Sequence, residues 1–329
     1  MTAAAALGKK RPVLTARIDV PSLRIGTRGS AMALHQTRLV RDRLAAAHPA
    51  LAAPDAIEIV VIRTTGDRVQ NRLLAEIGGK GLFTKEIEEA LADRRIDLAV
   101  HSLKDMETVL PAGLDIACVL PRDDPRDALV ARDGAGLDGL PHGARIGTAS
   151  LRRRAQLLRR RADLDIAPIR GNVDTRLHKL QAGDVDGLVV ALCGLERLGR
   201  VEIVSEIIPT EIMLPAVGQG ALAIQARTDD DALRERLAPL HDAASAACVT
   251  AERAMLAALD GSCRTPIAGF AELAGARLRL RALLLATDGS SERRAKGEAP
   301  AADAAALGRD IGERLRRDAG PEFGLGKTG

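Results

Sequence analysis

The tetrapeptide Arg-Ile-Gly-Thr occurs twice, at 24–27 and 145–148, and each copy leads from a strand-like segment into a helix-like one headed by serine, Ser30 or Ser150. A helix amino terminus leaves backbone N–H groups unpaired and carries partial positive charge, so each turn is suited to a carboxylate or phosphate. Arginine reinforces both copies: Gly-Thr-Arg28-Gly-Ser30 in the first and Gly-Thr-Ala-Ser150-Leu-Arg152-Arg153 in the second. Planar guanidinium groups grip carboxylates through paired hydrogen bonds. With Arg170 and Arg176 further along the second half, the pattern points to a ligand bearing many negative charges.

Two other residues could carry chemistry. Asp105 ends His101-Ser102-Leu103-Lys104-Asp105, directly after an apolar run. Ser102 and Asp105 have the spacing of a helix capping box; alternatively, Asp105 is an ionised carboxylate that stabilises a cation or moves a proton. His101 by itself reads as a packed strand residue. Cys263 lies in the turn-rich stretch Asp260-Gly-Ser-Cys-Arg264-Thr-Pro266. It is either an incidental loop thiol or, beside Arg264, a nucleophile or attachment point. Cys118, Cys193 and Cys248 sit in apolar settings and read as core thiols.

The elements that must position these residues follow an α/β rhythm. Strands are expected at Leu23 to Thr27, Ile57 to Thr65, Asp97 to Ser102 and Asp115 to Leu120, with helices at Ser30 to Ala47 and Thr84 to Asp93. The rhythm repeats with strands at Ala144 to Ala149, Asp165 to Arg170 and Gly187 to Cys193, and helices at Leu151 to Ala162 and Val173 to Ala182. The halves read as copies that flank a cleft, with both arginine turns at the carboxyl ends of strands, where ligands of open α/β sheets bind. Val217 to Ile224 reads as a loop feeding a strand that returns to the first half. From Ala243 the pattern changes to a helix, a strand pair around Ala268 to Ala286, and a helix over Ala302 to Arg317. The expected organisation is a disordered extension over 1–20, an α/β lobe from 21–122 and 217–240, a second α/β lobe over 123–216, and a small α+β domain over 241–329.

The chain has 329 residues, 46% of them hydrophobic, and a net charge of +4, enough for two or three domains with cores. Only eight of its 48 basic residues are lysine, and it has three Phe with no Trp or Tyr. Stacking platforms for single-stranded nucleic acid need aromatic rings, so that class is disfavoured. The four cysteines and six histidines show no metal-like spacing. Matches to G-x-G-x-x-G at Gly134 and Gly324 lack the strand-turn-helix context of a dinucleotide site, and Gly78-Gly-Lys80-Gly81 lacks the Ser or Thr of a P-loop. No signal peptide or membrane span is apparent. A cytoplasmic monomer without nucleic-acid or membrane partners is expected.

Seven motifs in order give the chain a resemblance to the porphobilinogen deaminase (hydroxymethylbilane synthase) family: GTRGS at Gly26, GGKGLFTKE at Gly78, AVHSLKD at Ala99, GTASLRR at Gly147, IRGNVDTRL at Ile169, LPAVGQGALAI at Leu214 and DGSCRTPIAG at Asp260. The resemblance implies two periplasmic-binding-protein-like α/β lobes plus a small domain whose Cys263 holds a dipyrromethane cofactor through a thioether. It further implies that four porphobilinogen molecules are joined on this primer with loss of ammonia, and that the linear tetrapyrrole is then released by hydrolysis. Asp105 matches the catalytic aspartate that stabilises azafulvenium cations. Lys104, Ser150, Arg152, Arg153 and Gln219 match cofactor-binding positions, and Arg28, Ser30, Lys80, Arg170, Arg176 and Arg197 match substrate-binding ones. A chain of up to six rings would collect about a dozen carboxylates, which a distributed set of fixed cations could hold. The sequence departs from the family pattern at Met106-Glu107, where Val-Pro is usual, at Cys193 and Glu196, and at Ala149; Glu107 adds negative charge near Asp105.

Two rival readings predict different features. A two-lobed module that only captures an acidic small molecule needs no loop thiol. An RNA-binding protein would use the arginine-rich helix from Leu151 and would show steep salt dependence.

Overall fold

The computed structural model describes residues 23–68, 81–260 and 265–325. The extension over 1–20, Lys80, Cys263 and Arg264 lie outside the described residues, as does most of the glycine-bounded stretch 66–81.

The chain opens with β1 (Leu23–Thr27), α1 (Ala31–Ala47), β2 (Ile57–Val61), the short α2 (Thr65–Arg68), α3 (Lys85–Ala92), β3 (Leu98–Ser102) and β4 (Leu114–Val119). A second run follows: β5 (Asp127–Ala131), β6 (Arg145–Gly147), α4 (Leu151–Arg160), β7 (Asp165–Ala167), α5 (Val173–Gln181), β8 (Gly187–Ala191), α6 (Leu192–Arg197) and β9 (Glu206–Ile208). Next come β10 (Leu222–Arg227), α7 (Asp231–Leu237), α8 (Ala243–Ala258), β11 (Ile267–Ala274), β12 (Arg277–Leu285), β13 (Glu292–Pro300) and α9 (Ala304–Arg317).

The first sheet has the order β2-β1-β3-β10-β4 and the second β7-β6-β8-β5-β9. In each, three strands run parallel and the fourth is antiparallel: β10 against β3, and β5 against β8. The two sheets are therefore topological copies, as the repeated Arg-Ile-Gly-Thr suggested. In both, the antiparallel strand is supplied by the segment that has just crossed from the other sheet. Strands β5, β8 and β10 are buried along their whole length, the condition that makes central strands read as continuous apolar runs rather than alternating ones.

Both crossings meet the third unit at one carboxylate. Glu252, on α8 and fully buried, accepts from Arg122 Nη1 at 2.6 Å and Nη2 at 3.2 Å, from Gly218 N at 2.7 Å and from Ala271 N at 2.8 Å. Arg122 belongs to the outward crossing, Gly218 to the return and Ala271 to β11, so α8 is bolted to the junction of the two sheets. Within the third unit, α8 and α9 pack closely because Gly308 and Gly312 present no side chain; a Cβ there would meet the carbonyl oxygens of Ala251 and Met255 at 2.2 and 2.5 Å.

Three expectations need correction. The third sheet has three strands, not a pair, because Glu292–Pro300 pairs along the whole of β12. Its sequence, ERRAKGEAP, has no apolar alternation because it is a charged edge strand, a composition that discourages pairing with other chains. The second strand stops at Val61 rather than Thr65, and the strand expected to reach Cys193 stops at Ala191, after which α6 begins. The antiparallel strand β5 was not anticipated at all.

Candidate active site

At the carboxyl edge of the first sheet, β1 and β3 deliver the first anion turn and the Asp105 turn side by side. One pocket is lined by Arg28, Ser30, Gln36, Phe83, Ser102 and Asp105. Ser30 caps α1, its hydroxyl accepting from Ala33 N at 3.2 Å. Arg28 is paired with Asp67 (Nη2 to Oδ1, 2.5 Å) and its guanidinium carbon lies 4.1 Å from the Phe83 ring centre.

Leu103–Asp105 is a single 3-10 turn in which the Ser102 side chain makes no capping bond; the capping-box reading is not realised. Instead, Gln36 Nε2 donates to Ser102 Oγ at 2.9 Å, tying α1 to the end of β3. Asp105 is exposed and has no hydrogen bond or ion pair among the described residues. His101 is 5% exposed and lies in the wall of the same pocket. Burial, reinforced by the Arg28 charge and opposed by Gln225, pushes its pKa down to about 4. It is a neutral core residue, as its strand setting suggested.

The second anion turn is built differently. Ser150 caps α4, accepting from Arg153 N at 3.4 Å. Arg152 and Arg153 turn inward onto Asp127 at the head of β5, Arg152 Nη2 at 2.8 Å from Oδ2 and Arg153 Nη2 at 2.8 Å from Oδ1. Arg152 also donates to Leu214 O at 2.6 Å and Arg153 to Val189 O at 3.0 Å. Gln219 Nε2 completes the group, donating to Asp127 Oδ1 at 2.9 Å and to Pro125 O at 2.7 Å. Although burial opposes it, the charge of Arg152 and Arg153 with the hydrogen bonds of Arg153 and Gln219 holds the Asp127 pKa down to about 2. The network joins α4, β5 and both crossings.

Among the described residues, Arg170 and Arg176 have no carboxylate partner. Arg170 is half-buried and its Nη1 is enclosed without a hydrogen bond. Among the described residues, Arg176 donates only to Gly171 O, at 2.8 Å. Burial first, then repulsion from Arg153 and Arg170, pushes its pKa down to about 10. The Lys104 ammonium is likewise pushed down by burial and by Arg153, against the opposing pull of Cys193, Asp105 and Asp127. Arg153 thus acts on both Lys104 and Arg176, Arg170 acts on Arg176, and Lys104 adjoins Asp105. Like charges gathered at partial burial are costly unless an anion joins them. The unpartnered Arg170 and Arg176 fit the carboxylate-rich dipyrromethane that the resemblance implied.

The structure thus brings together Arg28, Ser30 and Asp105 at one pocket and sets Arg170 beside Arg176, while Arg153, itself sealed onto Asp127, exerts its charge on both Lys104 and Arg176. Arg152 and Gln219 are absorbed by the Asp127 network. Arg197 is held by Asp123 at 2.7 Å and by Gly220 O at 2.9 Å. The second arginine triplet is neutralised piecemeal: Arg159 by Glu292, Arg160 by Asp138 and Arg161 by Asp163. Sequence reasoning missed Asp127, whose only signal was an acidic residue at the head of the apolar run Ala-Leu-Val-Ala. It also missed Asp67 as the partner of Arg28.

Comparison with known proteins follows the same lines. Residues 23–235 match the family model described as porphobilinogen deaminase, dipyromethane cofactor binding domain, and residues 246–317 match the porphobilinogen deaminase C-terminal domain. The porphobilinogen deaminase of Paracoccus denitrificans is 55% identical over 301 residues, covering 92% of this chain and 96% of that protein. That of Nitrobacter hamburgensis is 51% identical, covering 91% and 94%. Among solved structures, a TRAP periplasmic solute binding protein from Desulfovibrio salexigens aligns at 12% identity with a TM-score of 0.42, covering 67% of this chain and 72% of that one. That similarity is loose, and the architecture rests on the sheets themselves. With both family models matched in order and the relatives aligned almost end to end, the chain belongs to the porphobilinogen deaminase family.

Proposed function

We propose that this chain is a transferase that joins four porphobilinogen molecules into the linear tetrapyrrole hydroxymethylbilane, releasing ammonia at each addition, on a dipyrromethane primer attached to Cys263. The observation that carries the reading is the pair of half-buried arginines, Arg170 and Arg176, which lie in each other's field and that of Arg153 and have no carboxylate partner among the described residues. When bound, the dipyrromethane supplies the free pyrrole carbon from which growth starts.

The residues of this chain then divide the work. Arg170, Arg176 and Lys104 bind acetate and propionate groups, with Arg28 and Ser30 doing so at the neighbouring pocket. Ser150, Arg152, Arg153 and Gln219 act at the cofactor side largely by shaping it, since Ser150 caps α4 and the other three hold Asp127 and backbone carbonyls, and Arg197, held by Asp123 and Gly220, does the same on the substrate side. Lys80 is placed with the substrate residues by resemblance alone. Asp105, exposed and without a partner among the described residues, stands beside Lys104 to face the cation left when the aminomethyl carbon loses ammonia with the bonding electron pair, and to accept pyrrole N–H donors. We assign the lobes to 21–122 with 217–240 and to 123–216, and cofactor attachment to 241–329. Among the described residues no helix is long and apolar enough to cross a membrane; a cytoplasmic monomer acting on a small molecule is the reading we adopt.

Intact mass of the purified chain beside Cys263→Ser tests this. The expected result is an added mass of two porphobilinogen units less two ammonias, absent from the variant. An unmodified chain that also gains nothing on incubation with porphobilinogen would return the protein to the class of two-lobed binders.

A further inference from the structure

Two arginine–aspartate couples flank the cleft, and they differ in access. Arg152 and Arg153 hold Asp127 with side-chain exposures of 5%, 8% and 0%, where no incoming ligand can compete. Arg28 and Asp67 hold each other at 24% and 25% exposure, within reach of any carboxylate that enters the Asp105 pocket.

Asp67 takes a particular part of Arg28. Nη2 donates to Oδ1 at 2.5 Å, and Nε to Oδ1 at 3.2 Å and Oδ2 at 3.4 Å. That Nε/Nη2 edge is one through which a guanidinium grips a carboxylate with two parallel hydrogen bonds. The flat face is taken by Phe83. Asp67 is steadied from behind by Thr64, whose Oγ1 donates at 2.8 Å and whose backbone N–H donates at 3.4 Å. Burial would raise its pKa, but the Arg28 hydrogen bond and charge, with Thr64, hold the carboxyl below the usual range. It stays ionised wherever a substrate carboxylate would be.

We infer that Asp67 is an internal competitor for Arg28: it occupies the edge that a pyrrole acetate or propionate needs and must be displaced when the substrate side chain docks. The inference rests on the reading that Arg28 binds substrate carboxylates. Its consequence is a deliberately weakened grip at this pocket. Arg28 exchanges one carboxylate for another instead of gaining a new ion pair, so net binding is small while charge is matched before and after docking. A site through which successive units must pass benefits from such reversibility.

The test uses the holoenzyme as purified and a non-reacting probe, a pyrrole carrying acetate and propionate side chains but no aminomethyl group, with binding measured by calorimetry. Asp67→Asn keeps the shape and an acceptor for Thr64 but removes the charge; at a quarter exposure the position does not endanger the core. The probe should bind Asp67→Asn about two- to fivefold tighter than wild type, the range an exposed ion pair of this kind supports. KM for porphobilinogen should fall in parallel, without a rise in kcat. In an Arg28→Gln background the same substitution should change nothing. Equal or weaker binding to Asp67→Asn, with Arg28→Gln still impaired, would overturn the inference and make Asp67 an orienting partner while leaving the substrate role of Arg28 intact. If Arg28→Gln binds the probe as well as wild type, the role of Arg28 itself fails, and the inference with it.

Discussion

Arg153 and Asp127 are joined inside the protein, the arginine Nε and Nη2 both donating to one carboxylate oxygen at 3.0 and 2.8 Å. With Arg152 on the other oxygen, Asp127 is the anion around which α4, β5 and the crossings between the sheets assemble. Removing one member of such a group leaves buried charge without compensation. Asp127→Ala should lose about 3–5 kcal/mol, read as a lower urea midpoint at unchanged slope. A loss below about 1 kcal/mol would mean that water or another carboxylate takes its place.

Asp105 has the opposite character. It is exposed and unpaired among the described residues, so Asp105→Ala should fold with stability within about 0.5 kcal/mol of wild type. Turnover should fall by about a hundredfold or more, the scale on which a preorganised charge at a developing cation counts. Near-normal turnover would remove Asp105 from the chemistry.

Arg176 is held against its neighbours rather than by them, since burial and the charges of Arg153 and Arg170 push its pKa down to about 10. Arg176→Gln should therefore leave the melting temperature unchanged or raised, as expected where function and stability conflict. The same variant should raise KM for porphobilinogen by about tenfold and accumulate enzyme species with incomplete chains, visible as intermediate masses. A substantially lower melting temperature would show that Arg176 is structural.

The histidine buried in β3 makes stability depend on pH. His101 has a pKa lowered from 6.5 to about 4, so between those values the unfolded chain binds the extra proton and the folded one does not. Stability contributed by this group is present above pH 6.5 and is lost as pH falls toward 4, by up to about 3 kcal/mol. Denaturation midpoints across this interval should fall with acidity, and His101→Asn should flatten the curve. An unchanged slope in the variant would assign it to other titrating groups, Asp127 not among them, since its own loss begins only below the ordinary aspartate range.

Much of the site was legible because its signals are local. Ser30 and Ser150 cap the helices that follow the repeated tetrapeptide, and a capping residue acts on atoms two or three positions away. The apolar runs that became β1, β3 and β8 needed no knowledge of their neighbours. The strand β13 escaped notice because its charges face solvent at a sheet edge and carry no periodicity. The antiparallel strand β5 escaped because an apolar run of five residues has no direction until it is paired.

What the sequence by itself determined was the repeated strand-turn-helix plan, the helix caps and the supply of arginines, all of which depend on residue type and short spacing. Which arginine meets which anion was decided only by the tertiary structure. Arg152 and Arg153 are sealed onto Asp127, 25 and 26 positions away in sequence; Arg28 is lent to Asp67, 39 positions away; and Arg170 and Arg176 are left without a carboxylate. An ion pair depends on distance and burial, and both arise only when each sheet and the helices on it have assembled.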